Sequence, residues 1–257
     1  MSDTAANPFA LNGEIALVTG ATRGIGYACA RALAEAGAAV ALGCRDVRAG
    51  EALAKALRDD GVKAIAVHMD MLSLESIERA VAQVETELGP LSVLVNNAGH
   101  SRPAPAMQVK PNDYDAMFDL NVKGAFFASQ AAARTMAARK RGSIINIASQ
   151  AGFVALDGES IYCMTKAAII HMTQCLAVEW APHHIRVNAV APTFIRTDST
   201  RGWLENEASL NSLLARIPLR RIGEPENVAE PVVFLASNAA ALITGATLKI
   251  DGGWTAV

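Results

Sequence analysis

The apolar residues of this chain fall in short unbroken runs, separated by longer stretches in which apolar and polar positions mix at helical spacing. The runs "EIALVTG" (14–20), "AAVALGC" (38–44), "VKAIAVHMD" (62–70), "LSVLVNNAG" (91–99), "GSIINIAS" (142–149), "IRVNAVAP" (185–192) and "ATLKIDGG" (246–253) predict seven strands. The stretches 24–37, 48–61, 73–89, 112–140, 160–182 and 224–237 predict helices, with Gly37 and Gly61 as stops and Ser73 as an N-cap. Strands that are apolar throughout are buried on both faces, and strands that alternate with helices pair in parallel. With right-handed crossovers the chain is one α/β domain, a doubly wound (Rossmann-type) parallel seven-stranded sheet with helices on both faces. Residues 1–11 read as a loose N-terminal tail and 194–217 as a lid.

Composition acts mainly by exclusion. A chain that is 51% hydrophobic and 19% charged is not disordered in its bulk. A net charge of −2 gives no electrostatic case for nucleic acid or an anionic membrane. The basic runs Arg139-Lys140-Arg141 and Arg220-Arg221 are too short to change that. The N-terminus lacks a signal pattern, and no apolar run reads as long enough to span a bilayer. The four cysteines form no CxxC and read as reduced thiols of a cytoplasmic protein; the histidines form no HExxH, so no catalytic metal is expected.

In a doubly wound sheet ligands bind outside the carboxyl ends of the strands. The first strand ends in "TGATRGIG", where Gly20, Gly24 and Gly26 let backbone approach an anion at a helix N-terminus. A dinucleotide pyrophosphate suits this turn, in which Thr22, Arg23 and Ile25 are the remaining cofactor candidates. The second strand ends in "LGCRD", with Cys44 where an acid would read the ribose of NAD. Arg45 follows it and Arg23 lies on the same side, so NADP(H) is expected over NAD, with Asp46 as the residue that argues the other way. The third strand ends at Asp70 and Met71, where Asp70 either bonds an adenine amino group or caps the next helix. In "NNAG" the small residues Ala98 and Gly99 let a flat ring lie on the backbone.

Tyr162 and Lys166, in "YCMTK", share a helix face one turn apart. A phenol with a pKa near ~10 is a poor acid–base group at neutral pH, and a nearby ammonium lowers that pKa. Ser149, at the end of the fifth strand, is placed to hold a substrate oxygen, and Asn121 to hold a water linking Lys166 to solvent.

These residues together resemble the short-chain dehydrogenase/reductase family over roughly residues 11–253. The motifs stand in order: "TGATRGIG" for TGxxxGxG, "NNAG", the Asn of "LNVKG", Ser149 and YxxxK. The resemblance implies hydride transfer between a nicotinamide and a carbonyl or secondary alcohol. It implies Tyr162 as general acid or base, Ser149 polarising the carbonyl, Lys166 lowering the Tyr162 pKa and bonding the nicotinamide ribose, and Asn121 completing a proton relay. Asn97, Ala98 and Gly99 would line the cofactor, and Pro192, Ile195 and Thr197 would flank its amide end. Thr193 departs from the family's usual Pro-Gly at this point.

His100, Arg102, Gln150, Phe153 and Trp203 are the substrate-side candidates, with Val154 and Leu156 as further wall residues. Arg102 either meets an anion or is an ordinary surface arginine; the apolar lid residues either line a pocket or pack the lid. A small ketone, sugar or polyol is ranked above an acyl-carrier-protein thioester. The reason is that Val178 stands where reductases of that kind present a basic residue, although Lys140 and Arg141 are an alternative source of charge. "DGGWTAV" and the long helices resemble the family's tetramer contacts, so a homotetramer is expected. The reading from another class is a catalytically silent NADP(H)-binding regulatory protein.

Overall fold

Each apolar run forms a strand, and every residue of β1 (Ile15–Thr19) is buried. The others are β2 (Ala39–Cys44), β3 (Ala64–His68), β4 (Val93–Asn96), β5 (Gly142–Ile147), β6 (Ile185–Pro192) and β7 (Thr247–Ile250). This computed structural model describes residues 7–257. All strand pairs are parallel, in the order β3-β2-β1-β4-β5-β6-β7. Successive side chains point to opposite faces, so Ala16 and Val18 enter one core while Ile15 and Leu17 enter the other.

The helices are α1 (Gly24–Glu35), α2 (Val47–Asp59), α3 (Leu74–Glu87), α4 (Pro111–Phe118), α5 (Ala125–Arg139), α6 (Ser160–Trp180), α7 (Arg201–Leu204), α8 (Glu207–Arg216) and α9 (Pro225–Ala236). α1 and α9 close one face of the sheet; α3, α5 and α6 close the other. Ser73 caps α3 as expected, accepting from Ser76 N. The lid segment contains α7 and α8. Leu204 and Leu213 of these helices, with Ile217 just after α8, pack with Ile222 and Trp254 in a small separate core, so these apolar lid residues serve packing.

Three expectations are corrected. The stretch 112–140 is not one helix: a π-helical turn, Asp119–Gly124, separates α4 from α5. Such turns are rare and leave no mark in apolar periodicity. The tail is not loose as far as residue 11. Leu11 is buried and donates from its backbone to Ala36 O at 2.7 Å, and Phe9 lies 6.2 Å from Phe234 between ring centres. Residues 1–6 lie outside the described residues. Finally, among the described residues one helical stretch, Ser160–His183, is long and apolar enough by length and composition alone to cross a membrane. It contains α6, packs on β6, and carries Tyr162 and Lys166.

Candidate active site

The strand order reverses between β1 and β4, and the sequence-selected residues converge on that carboxyl edge. Leaving β1, the chain bends through Gly20 (φ +64) and Gly24 (φ +52), a backbone region that side chains disfavour. Gly26 is required for another reason. A Cβ there would lie 2.4 Å from both Asn97 Nδ2 and Gly20 O. Asn97 donates that amide to Thr19 O at 2.9 Å and Gly20 O at 3.2 Å, so its Nδ2 holds the turn. Thr19, passed over in the sequence, accepts from Asn97 N and Ala98 N, both at 3.0 Å. It satisfies backbone donors that β4 exposes as it diverges from β1; the signal was a hydroxyl residue ending an apolar run. Thr22 and Ile25 stand half-buried in the same turn.

Arg23 and Arg45 are both exposed, and neither forms an ion pair among the described residues. Cys44 is buried, its thiol turned to Val67 O at 3.8 Å. Asp46 caps α2 through Oδ1, which accepts from Arg48 N at 3.0 Å and Ala49 N at 3.1 Å. Asp70 accepts from Leu72 N at 3.0 Å in a local turn. Met71 is buried against the π turn, where a Cβ on Gly124 would come within 2.7 Å of Met71 O.

The π turn places Asn121 under the end of β4. Its Oδ1 accepts from His100 N at 2.9 Å, and its Nδ2 donates to His100 O at 2.9 Å and Thr165 Oγ1 at 3.1 Å. Both ends of the amide are used, and they clamp the loop after "NNAG" to α6. Gly99 leaves a cradle there, since a Cβ would stand 3.0 Å from Asn121 Oδ1 and 3.8 Å from Lys166 Nζ.

Ser149 follows β5, its hydroxyl accepting from Ala151 N at 3.1 Å. The Tyr162 ring is partly accessible, but its hydroxyl lies among protein atoms beside Ser149. Burial pushes the phenol up to about 12; a hydrogen bond with Ser149 draws it down, and the Glu159 and Cys163 charges push it up again. Lys166 donates to Ile147 O at 2.7 Å and is itself pushed down to about 8 by burial. The expected lowering of the Tyr162 pKa by Lys166 is therefore not present in the protein alone. The largest cause at each group is its removal from water.

On the amide side, Pro192 and Ile195 are buried, and Thr197 Cγ2 is where a Cβ on Gly24 would touch, at 3.2 Å. Thr193 donates to Ile250 O at 3.1 Å in backbone that needs no glycine, and its Oγ1 is buried without a partner. On the substrate side, Gln150 is 2% exposed and its Oε1 has no donor. The His100 Nε2 is likewise buried and unpartnered, and burial, then Arg102 and Arg45, hold that ring's pKa below the usual histidine range. Phe153 is half-exposed under Lys249 Nζ at 4.5 Å, and Trp203 leans on Phe194 at 6.1 Å. Val154 and Leu156 pack against the lid core. Arg102 pairs with Asp113 at 2.7 Å. Lys140 and Arg141 belong to the opposite, amino-terminal edge, where they line a cleft of about 420 Å³ with Glu14 and Arg186.

A nicotinamide dinucleotide fits this carboxyl edge. The left-handed glycines open the turn, Gly99 leaves a flat cradle against Lys166, and the orphaned Thr193 Oγ1 and His100 Nε2 are polar atoms that a ligand can satisfy.

Comparison with known proteins agrees. A family model described as enoyl-(acyl carrier protein) reductase matches residues 20–255. A galactitol 2-dehydrogenase of Rhizobium johnstonii is 41% identical over 250 residues, 96% of this chain and 97% of that one. An NAD-dependent glycerol dehydrogenase of Listeria innocua is 39% identical over 248 residues, 96% of each chain. The crystal structure of a gluconate 5-dehydrogenase from Burkholderia cenocepacia, in complex with NADP and tartrate, superposes with a TM-score of 0.95 at 36% identity, covering 97% of this chain and 98% of that one.

Proposed function

This chain belongs to the short-chain dehydrogenase/reductase family, and we propose that it is an NADP(H)-dependent oxidoreductase acting on a small ketone, sugar or polyol. The observation that carries the reading is the meeting of Ser149, Tyr162 and Lys166 beside the Gly99 cradle at the sheet's switch point. The dinucleotide, held by the turn Gly20–Gly26, Arg23, Arg45, Lys166 and Thr197, supplies the hydride donor or acceptor. Tyr162 gives its phenolic proton to the carbonyl oxygen in reduction and takes it back in oxidation. A phenol pushed up to about 12 is protonated at neutral pH, which is the form reduction needs. Ser149 donates its hydroxyl to the same oxygen and fixes its position. Lys166 supplies positive charge behind the phenol, and Asn121 holds the wall of the site in place.

NADP(H) is favoured because Arg23 and Arg45, exposed and without an ion pair among the described residues, follow β1 and β2, while Asp46 uses one carboxylate oxygen as a helix cap. The solved gluconate 5-dehydrogenase holds NADP, whereas the glycerol dehydrogenase is named for NAD. A reductase of acyl-carrier-protein thioesters is the alternative that the family description suggests. Against it stand Val178 in place of a basic residue and the location of Lys140 and Arg141 at the far edge. A silent NADP(H)-binding protein would have no use for the full set of Ser149, Tyr162 and Lys166. A homotetramer is supported by the α6 stretch, apolar yet only 39% buried, and by the apolar surface of Phe118, Val122, Phe126, Phe127 and Met172 beside it.

The test is titration of the purified protein with NADPH and NADH, followed by turnover with ketones, sugars, polyols and acyl thioesters. The reading expects NADPH to bind at least about tenfold tighter and turnover to fall in the ketone, sugar or polyol group. NADH binding tighter, or turnover with thioesters alone, would replace the corresponding part of it.

A further inference from the structure

Glu159 is a carboxylate at the active site that the motifs do not contain. It caps α6, one turn ahead of Tyr162, without using its side chain for the cap. Its Oε2 accepts from the Ser101 hydroxyl, and the backbone beside it is joined at Ala104 N to Gly158 O, 2.8 Å. These two bonds stitch the loop after β4 to the loop before α6, and the carboxylate sits in the seam. Its Oε1 receives no hydrogen bond, and no cation pairs with it among the described residues. Burial raises its pKa, the Ser101 bond lowers it, and its charge is felt at the Tyr162 hydroxyl.

The groups around the seam share one character. Arg102, one residue beyond Ser101, is turned to Asp113 at 2.7 Å. The Lys166 ammonium is tied to Ile147 O at 2.7 Å. Lys249 lies over the Phe153 ring at 4.5 Å. Gln150, the neighbour of Ser149, keeps a buried carbonyl oxygen that no donor reaches, a state that is unfavourable until one is supplied. The substrate side thus offers acceptors and one negative charge; Arg102, Lys166 and Lys249 each already hold a partner, while Arg102 and Arg45 bear on the His100 ring.

We propose that Glu159 sets the substrate class of this site, selecting uncharged polyhydroxy alcohols and their ketones over sugar acids and other anionic substrates. The inference rests on the dehydrogenase reading above. A substrate hydroxyl donates to Glu159 Oε1 in a charge-assisted hydrogen bond. A substrate carboxylate brought to the same wall meets a like charge that is partly withdrawn from water, which is how specificity is built by repulsion. The proton transferred by Tyr162 is unaffected by this choice.

The experiment is NADP-linked oxidation of C3–C6 polyols and of the matching aldonates by the full chain and by Glu159→Gln and Glu159→Lys. The expected result is a wild-type kcat/KM for polyols at least about tenfold above that for aldonates. Glu159→Gln should shrink that ratio by about tenfold or more, chiefly through KM, and Glu159→Lys should reverse it. NADPH binding and circular dichroism should be unchanged in both variants. Aldonates oxidised as well as polyols by the wild type, an unchanged ratio in both variants, or turnover confined to apolar ketones would overturn the proposal and leave the dehydrogenase reading standing. Absence of turnover with every alcohol while NADPH still binds would overturn both.

Discussion

Lys166 Nζ lies 5.5 Å from the centre of the Tyr162 ring and donates to the Ile147 carbonyl at 2.7 Å. The two residues share a helix face, as their spacing requires, but the ammonium is anchored to the end of β5 and not to the phenol. Burial then drives them in opposite senses, the lysine down to about 8 and the tyrosine up to about 12.

A pH signature follows for Lys166. Its folded pKa lies below the ordinary 10.5, so between pH 8 and 10.5 the unfolded chain holds more protons and stability rises with pH. Tyr162 acts in the other direction, but only once pH passes its ordinary value of 10. The melting temperature of wild type minus that of Lys166→Met should therefore increase from pH 8 to pH 10. A flat or falling difference in thermal denaturation would show that the lysine stays charged in the fold.

Tyr162→Phe should lower kcat by about 10²–10⁴-fold, the range for a positioned acid–base group. NADPH affinity should change by no more than about twofold, because the ring and its packing remain. Parallel loss of cofactor binding in fluorescence titration would mean the residue serves the site's structure.

Arg45→Ala and Arg23→Ala should each weaken NADPH binding by about tenfold or more, a loss of roughly 1.4 kcal/mol, and leave NADH binding nearly unchanged. Equal losses for both dinucleotides would indicate a general electrostatic role.

Gly26→Ala should destabilise the fold by about 1–3 kcal/mol, since the new Cβ would stand 2.4 Å from Asn97 Nδ2 and Gly20 O. Urea denaturation reads this directly. Gly61→Ala is the contrast: its φ of +86 is strained for alanine, but nothing lies within 4 Å of the added Cβ. It should cost stability and spare cofactor binding, whereas Gly26→Ala should impair both.

The sequence by itself determined the sheet. Short apolar runs bounded by turn residues read as strands, and their alternation with helices leaves a parallel doubly wound order as the economical solution. It also determined which edge carries the chemistry, because glycines, Ser149 and the Tyr162–Lys166 pair all fall at or just after strand ends. Tertiary structure alone decided what those residues do there. Asn97 and Asn121 are polar residues in the right motifs, yet their amide nitrogens donate to Thr19, Gly20 and His100, partners up to 78 positions away. The π turn at Asp119–Gly124 is invisible to periodicity because it changes hydrogen bonding without changing composition. Whether Lys166 lowers the Tyr162 pKa depends on how much water each has lost, which sequence spacing does not encode. Glu159 escaped notice for the same reason: only folding joins it to Ser101, 58 positions earlier, and so places its charge beside Tyr162.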